Sequence, residues 1–188
     1  AAGADLNRDF DVRRYADRLA AAERGVVSYS GEQRSVLAAY VAAPKATQPE
    51  SRALVEGLSR AIRAANVRVK IFIDYHCCQE DTRGALLHSW GDTVTLRDGT
   101  LAPAHVERYS RASTKFARAF PEGLFGSGVE TIGYMTFGTL DEWAYESFSQ
   151  DGALAFTYEG QGRREDRQLS HHARFLDALA GEVELASP

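Results

Sequence analysis

The sequence predicts an α/β layered domain, because one strongly amphipathic helix runs directly into one apolar strand and a second such strand follows late in the chain. The helix is Pro49–Ala65, with Ala53, Leu54, Leu58, Ala61 and Ile62 at helical spacing, Pro49 in its first turn and Asn66 as a stop. Thr47 and Glu50 have the Thr-x-x-Glu spacing of a capping box at its start. Val67 to Tyr75 comes next, short, rich in β-branched residues and largely apolar, which reads as a buried strand. "ALAFTYE" (Ala153 to Glu159) is the second strand, alternating and aromatic.

The other elements follow in order. Asp11 to Arg24 is rich in helix formers. "ALLHSWGDT" reads as a short strand entering a Gly-Asp turn. His105 to Phe120 reads as a helix, with Val106, Tyr109, Ala112, Phe116 and Phe120 spaced to share a face. "GSGVETIGYMTFGTLDEW" is punctuated by glycine and reads as a loop or lid. Ser170 to Leu185 closes the chain as a helix with Phe175, Leu176, Leu179 and Val183 on one side. No repeat or linker divides the chain, so residues 1–188 are expected to form a single domain.

Composition removes several function classes. A formal net charge of −4 gives no electrostatic footprint for nucleic acid. No stretch approaches the ~20 apolar residues of a membrane span. Cys77 and Cys78 are adjacent, so they cannot build a disulfide framework or, without a second pair, a cysteine zinc site. Their plain reading is small side chains lining a crevice, and a cysteine hydrolase would need an orienting constellation that the sequence does not show.

Four segments carry chemistry. In "GADLNRDF", Asn7 and Arg8 supply an amide and a planar guanidinium, a pair suited to a carboxylate and equally at home in a surface turn. In "KIFIDYHCCQE", His76 falls just past the end of a strand, where open α/β sheets bind ligands, or is a hydrogen-bonded core histidine. In "GYMTFGTLDEWAY", Tyr134 lies among glycines where a phenol can swing over a substrate, and Asp141 and Glu142 either line a site or cap a helix turn. In "AFTYEG", Glu159 ends an apolar strand, a partly desolvated position that suits a general base. His88, His105, His171 and His172 read as surface or helix residues.

In that order these segments resemble the zinc metallocarboxypeptidases of the carboxypeptidase A and B type. "ATQPESRAL" is similar to the Pro-Glu-Thr/Ser-Arg-Ala helix start of that family, and "DYHCCQE…ALLHSWGDT" to its strand-end zinc His and following Leu-Leu run. "TIGYMTFGTLDEWAYE" looks like its mobile Tyr loop leading to Asp-Trp, and "FTYE" like the segment that carries its catalytic carboxylate. The resemblance implies a mixed, largely parallel central sheet flanked by helices, one zinc ion and an extracellular setting. It implies His76 as one of three zinc ligands, Asn7 and Arg8 as the clamp on a substrate's C-terminal carboxylate, Tyr134 as a closing hydrogen-bond donor and Glu159 as the base. It also implies Asp141 as the floor of a pocket for a basic C-terminal residue.

Two family features have no counterpart. The His-x-x-Glu that supplies the other two ligands, and an arginine that polarises the carbonyl, precede the Asn-Arg segment in the family and are not present here. "HCC" and "TYEGQGRR" also depart from the residues usual after the zinc His and the catalytic Glu. The expectation is a peptidase acting on peptide or protein C-termini, this chain being the C-terminal portion of its catalytic domain, with a preceding segment or companion chain supplying the rest. The alternative is a metal-free carboxypeptidase-like domain acting as a binding or structural subunit.

Overall fold

The computed structural model describes residues 8–26, 28–79, 84–88, 103–133, 136–148 and 153–161, with 173, 174, 176, 177 and 179 in the tail. Four of the apolar runs pair into one sheet. Its strands are β1 (Ile71–Gln79), β2 (Ala85–His88), β3 (Leu124–Gly126) and β4 (Leu154–Gln161), in the order β1-β4-β2-β3. β1 and β4 run parallel, β2 and β3 run parallel, and β2 meets β4 antiparallel. The sheet is therefore mixed and mostly parallel, flanked by helices, as expected.

The helices are α1 (Arg14–Glu23), α2 (Gly31–Ala42), α3 (Pro49–Ala65), α4 (Pro103–Ala119), α5 (Gly128–Thr131) and α6 (Leu140–Phe148). α4 buries the predicted face: Tyr109, Ala112 and Phe116 are shielded from water, as is Phe120 just beyond its end. The Tyr109 ring meets Phe156 of β4 edge-on, with centroids 5.2 Å apart. Its hydroxyl donates to the Ala155 carbonyl at 3.2 Å and accepts from the Ala155 amide at 3.0 Å. Each large core side chain of this kind contributes roughly 1.5–3 kcal/mol by leaving water.

Several expectations need correction. The first strand begins at Ile71 instead of Val67, and Val67 is 56% exposed. The described side chains of β1 are half-buried, and Tyr75 is exposed, where a buried strand was expected; among the described strands β1 stands at the edge of the sheet. The α3 stripe is less buried than its periodicity implies: Leu58 and Ile62 are half-buried, whereas Ala53, Leu54 and Ala61 are exposed. Asn66 does stop α3, in the left-handed conformation at φ 51°. α2 was not foreseen, although Ser30 and Gln33 form a reciprocal capping box at its start. The glycine-punctuated stretch, residues 126–143, starts on the last residue of β3, contains α5 and runs into the first turn of α6, so it is not one loop. In the tail Leu179 is buried but Leu176 is 52% exposed, and Phe175 and Val183 lie outside the described residues.

The Thr47/Glu50 capping box is replaced by a cap from far away in sequence. No side chain of the N-cap residue Gln48 caps α3; the Asp9 carboxylate accepts from the Thr47 amide, the Thr47 hydroxyl and the Gln48 amide, each at 2.9 Å. Burial opposes the Asp9 charge, but these bonds outweigh it and hold the carboxyl below its usual range. Glu146 of α6 does the same for α1, accepting from the Arg13 and Arg14 amides at 3.1 Å. A carboxylate at a helix N-terminus satisfies orphan amides and opposes the helix dipole.

The segment joining Arg8 to α1 is fixed by close approach. Phe10 donates its amide to the Gly138 carbonyl at 3.1 Å, and the Tyr40 hydroxyl donates to the Phe10 carbonyl at 2.6 Å. Gly138 sits at φ +76°, and a Cβ there would lie 2.3 Å from the Tyr40 ring and 3.0 Å from the Arg8 carbonyl oxygen. Gly138→Ala should therefore cost about 2 kcal/mol or more in urea unfolding, through strain and the clash together. Asp9→Ala should cost about 1–3 kcal/mol by leaving the Thr47 and Gln48 amides at the entry to α3 unmet. Stability unchanged in both variants would contradict this anchoring.

Candidate active site

Strand register builds the centre of the site. In the parallel pair, Asp74 lies opposite Thr157 and His76 opposite Glu159. Alternate residues of a strand share a face, so these four side chains project to one side of the sheet. Leu87 of β2, opposite Thr157, shares that side. His76 therefore lies inside β1, not just past its end, and the pairing shifts between His76 and Gln79. Such an irregularity ends regular pairing beside a site.

His76 is held between two carboxylates. Its Nε2 lies 3.0 Å from Asp74 Oδ2 and its Nδ1 lies 3.2 Å from Glu159 Oε1. The side chain is 26% exposed, those of Asp74 and Glu159 each 15%. The hydrogen bonds from Asp74 and then Glu159 push the imidazole up to about 10, against the opposing effect of burial.

One cleft brings together Arg8, His76, Leu87, Asp141, Thr157 and Glu159. Sites expected from Arg8, His76, Asp141 and Glu159 thus converge, although they come from four separate parts of the chain. Asn7 and Tyr134 lie outside the described residues, as do the side chains of Cys77 and Cys78. His88, expected at the surface or on a helix, is instead buried at the end of β2, lines the same cleft and packs near Tyr109 with ring centroids 6.2 Å apart. The side chain of His105, and His171 and His172 altogether, lie outside the described residues.

Asp141 and Glu142, in the first turn of α6, line this cleft. Asp141 is 3% exposed, and its Oδ1 is buried with no hydrogen-bond partner among the described residues. Burial pushes its carboxyl up, while the hydroxyls of Thr139 and Thr157 pull the other way. Glu142 caps its own helix, accepting from the Thr139 amide at 3.1 Å, and receives the Tyr15 hydroxyl on its other oxygen. Arg14 Nη1 donates to the Glu142 carbonyl at 3.1 Å. Helix capping, one of the two readings open for this acidic pair, is therefore what Glu142 does, while Asp141 lines the cleft.

The sequence reading missed Asp74, Thr157 and His88. For Asp74 a signal existed, since it stands two residues before His76 in a strand and must share its face. Thr157 relates to Glu159 in the same way.

A metal can be tested against these residues directly. A ligating imidazole needs one ring nitrogen deprotonated and open to the metal. Both nitrogens of His76 are shared with carboxylates, and among the described residues no group of three His, Cys, Asp or Glu side chains is placed to hold a metal ion. The described residues by themselves therefore do not make a zinc site; they offer one candidate ligand.

The cleft thus gathers an imidazole and a carboxylate from neighbouring strands, an arginine and a buried acid on one face of an α/β sheet. Comparison with known proteins narrows this. The family model for zinc carboxypeptidases matches residues 1–178, and the chain belongs to that family. A search of curated proteins finds no match. Among solved structures, bovine thrombin-activatable fibrinolysis inhibitor in complex with tick carboxypeptidase inhibitor matches with a TM-score of 0.61 and 18% identity, covering 100% of this chain and 59% of that one. Another structure of thrombin-activatable fibrinolysis inhibitor matches at 0.52 and 18%, covering 99% and 42%. A metallo-carboxypeptidase from Burkholderia cenocepacia matches at 0.53 and 17%, covering 77% and 37%. These structures share the fold, and the chain spans between 37% and 59% of their lengths.

Glu142 gives the site a measurable pH signature. Burial, reinforced by the Asp141 charge and opposed by Arg14, pushes its carboxyl up from 4.5 to about 7. Because the folded value is raised, folding takes up a proton. The stabilisation is complete below pH 4.5 and is lost as pH rises through 7, on the order of 3 kcal/mol in all. Glu142→Gln, which mimics the protonated form, should gain stability relative to wild type as pH rises across that window. A difference independent of pH would contradict the assignment.

Proposed function

We propose that this chain carries part of the active site of a zinc-dependent carboxypeptidase that hydrolyses the last peptide bond of peptides or proteins. The observation that carries the reading is the convergence of Arg8, His76, Asp141 and Glu159 on one cleft of a chain from the zinc carboxypeptidase family. The remaining ligands would come from outside the described residues. Zinc, when bound, polarises a carbonyl and activates a water.

The chain's own residues divide the work by chemistry. The guanidinium of Arg8, with the amide of Asn7, receives the free C-terminal carboxylate in planar, bidentate fashion, which confines reaction to the terminal bond. His76 offers a ring nitrogen from inside β1. The Glu159 carboxylate takes a proton from the attacking water and returns it to the leaving amine. Tyr134 donates a hydrogen bond to the bound peptide from its loop. Asp141 meets the substrate's terminal side chain: an enclosed carboxylate with one unpartnered oxygen is costly until a cationic group reaches it, which favours Lys or Arg over an apolar residue.

A second reading is a metal-free binding or structural subunit, favoured by the engagement of both His76 nitrogens with carboxylates. Elemental analysis of the protein containing this chain separates the two. The enzyme reading expects about one zinc per molecule and stepwise release of C-terminal residues from short peptides. Glu159→Gln should retain zinc and lose about 100-fold or more in kcat. Unchanged kcat would remove Glu159 from the mechanism. Asp141→Ala should abolish a preference for Lys and Arg over Phe and Leu; absence of that preference in the wild type would refute the role of Asp141.

A further inference from the structure

A second concavity lies behind the wall of the cleft, between the Asp9–Asp11 segment, the first turns of α3 and the start of α6. It has a volume of about 210 Å³, opens to solvent and is mostly apolar, with Phe10, Val55 and Trp143 in its walls. Cleft and cavity stand back to back on the same two segments. Arg8 lines the cleft and Phe10 the cavity; in α6, Asp141 lines the cleft and Trp143 the cavity. Phe10 and Trp143 are themselves almost fully buried, so the walls are held by the core. Water is poorly served in such a space, because a buried water needs two to four polar partners. The Asp9 carboxylate in the wall already accepts from the Thr47 and Gln48 amides. An apolar cavity of about 150 Å³ admits benzene, so this one has room for a six-membered ring and a short substituent.

The charge around the cavity selects among ligands that fit. Of the described residues lining it, Asp9, Asp11 and Glu56 are carboxylates, and Arg52 offsets one of them, which leaves the lining net negative. Asp9 is committed to the entry of α3. Asp11 and Glu56 are not: their side chains are 51% and 66% exposed and are met only at 3.6 Å by Arg13 and at 3.8 Å by Arg60. Exposed pairs of this kind bind weakly, so both carboxylates can turn to a cation at the mouth. We propose that this cavity binds a small arylalkylamine, with its ring among Phe10, Val55 and Trp143 and its ammonium at Asp11 and Glu56. The ring displaces poorly bonded water and packs against aromatic walls. The ammonium supplies the discrimination, since a carboxylate on the same ring would meet a net negative mouth. The site is separate from the cleft and stands whichever reading of that cleft holds.

The test titrates benzylamine, benzyl alcohol and phenylacetate into the protein containing this chain and follows the Trp143 indole N–H and the Val55 methyl signals by NMR. Benzylamine should shift both sets and bind at least about 10-fold more tightly than phenylacetate, with benzyl alcohol between them. Val55→Phe, whose ring takes the ligand's space, should weaken benzylamine by about 10-fold or more. The double substitution Asp11→Asn and Glu56→Gln changes exposed side chains and so spares the core. It should bring benzylamine and phenylacetate to within about 3-fold of each other. Asp141→Ala should leave the benzylamine shifts in place, because Asp141 faces the cleft and not the cavity. Absence of shifts at Trp143 and Val55 with all three probes would overturn the proposal. So would equal affinity for benzylamine and phenylacetate, binding that survives Val55→Phe, or binding lost in Asp141→Ala, which assigns the amine to the cleft.

Discussion

Parallel pairing of β1 with β4 is the constraint on which the rest of the site depends. Its register sets His76 against Glu159 and Asp74 against Thr157, so two segments more than eighty residues apart in number present one polar face. A slip of one residue would turn His76 away from Glu159 and put an apolar neighbour in its place. Little else could then form the cleft, because Leu87 enters it through the pairing of β2 with the same strand β4. The apolar far side of β4, packed on Tyr109 of α4, makes such a slip costly.

Around that pair, acidic side chains hold the loops that deliver the remaining groups. Asp9 ties the segment after Arg8 to the start of α3, and Glu146 ties the start of α1 to α6. Glu142 joins α6 to Tyr15 and Arg14. Apart from the Arg14 bond, which the Glu142 backbone carbonyl accepts, each places a carboxylate on helix-end amides or on a neighbouring donor, so electrostatics fixes where chain segments cross and packing fills in behind. The consequence for function is that Arg8 and Asp141 reach the cleft from opposite ends of the sequence with little freedom to wander. Gly138 is the contact point, since only a residue without a Cβ lets the Arg8 segment lie against the entry to α6.

Local periodicity was legible and long-range geometry was not. The face of α4 and the strand at Ala153 to Glu159 were readable because burial follows from spacing within one element. Arg8, His76, Asp141 and Glu159 were readable as a set only through their order along the chain; their convergence needed the sheet. The cap on α3 was misassigned to Thr47 and Glu50, because a local capping signal is visible in sequence whereas Asp9, 38 residues before Thr47, is not. His88 was misplaced because its burial comes from packing against Tyr109 and Phe125, neither of them its neighbour in sequence. β1 was expected to be buried for a related reason: its composition is that of an interior strand, but among the described strands its position is an edge.

The central claim is that the cleft at the β1–β4 pair is a zinc carboxypeptidase site with His76 as a ligand. X-ray diffraction at the zinc absorption edge, from crystals of the protein containing this chain, tests it most directly. The reading predicts a single anomalous peak about 2.0–2.1 Å from one ring nitrogen of His76, with Glu159 facing the metal's open side. Zinc bound away from His76, or no zinc in crystals grown with the metal present, would contradict it.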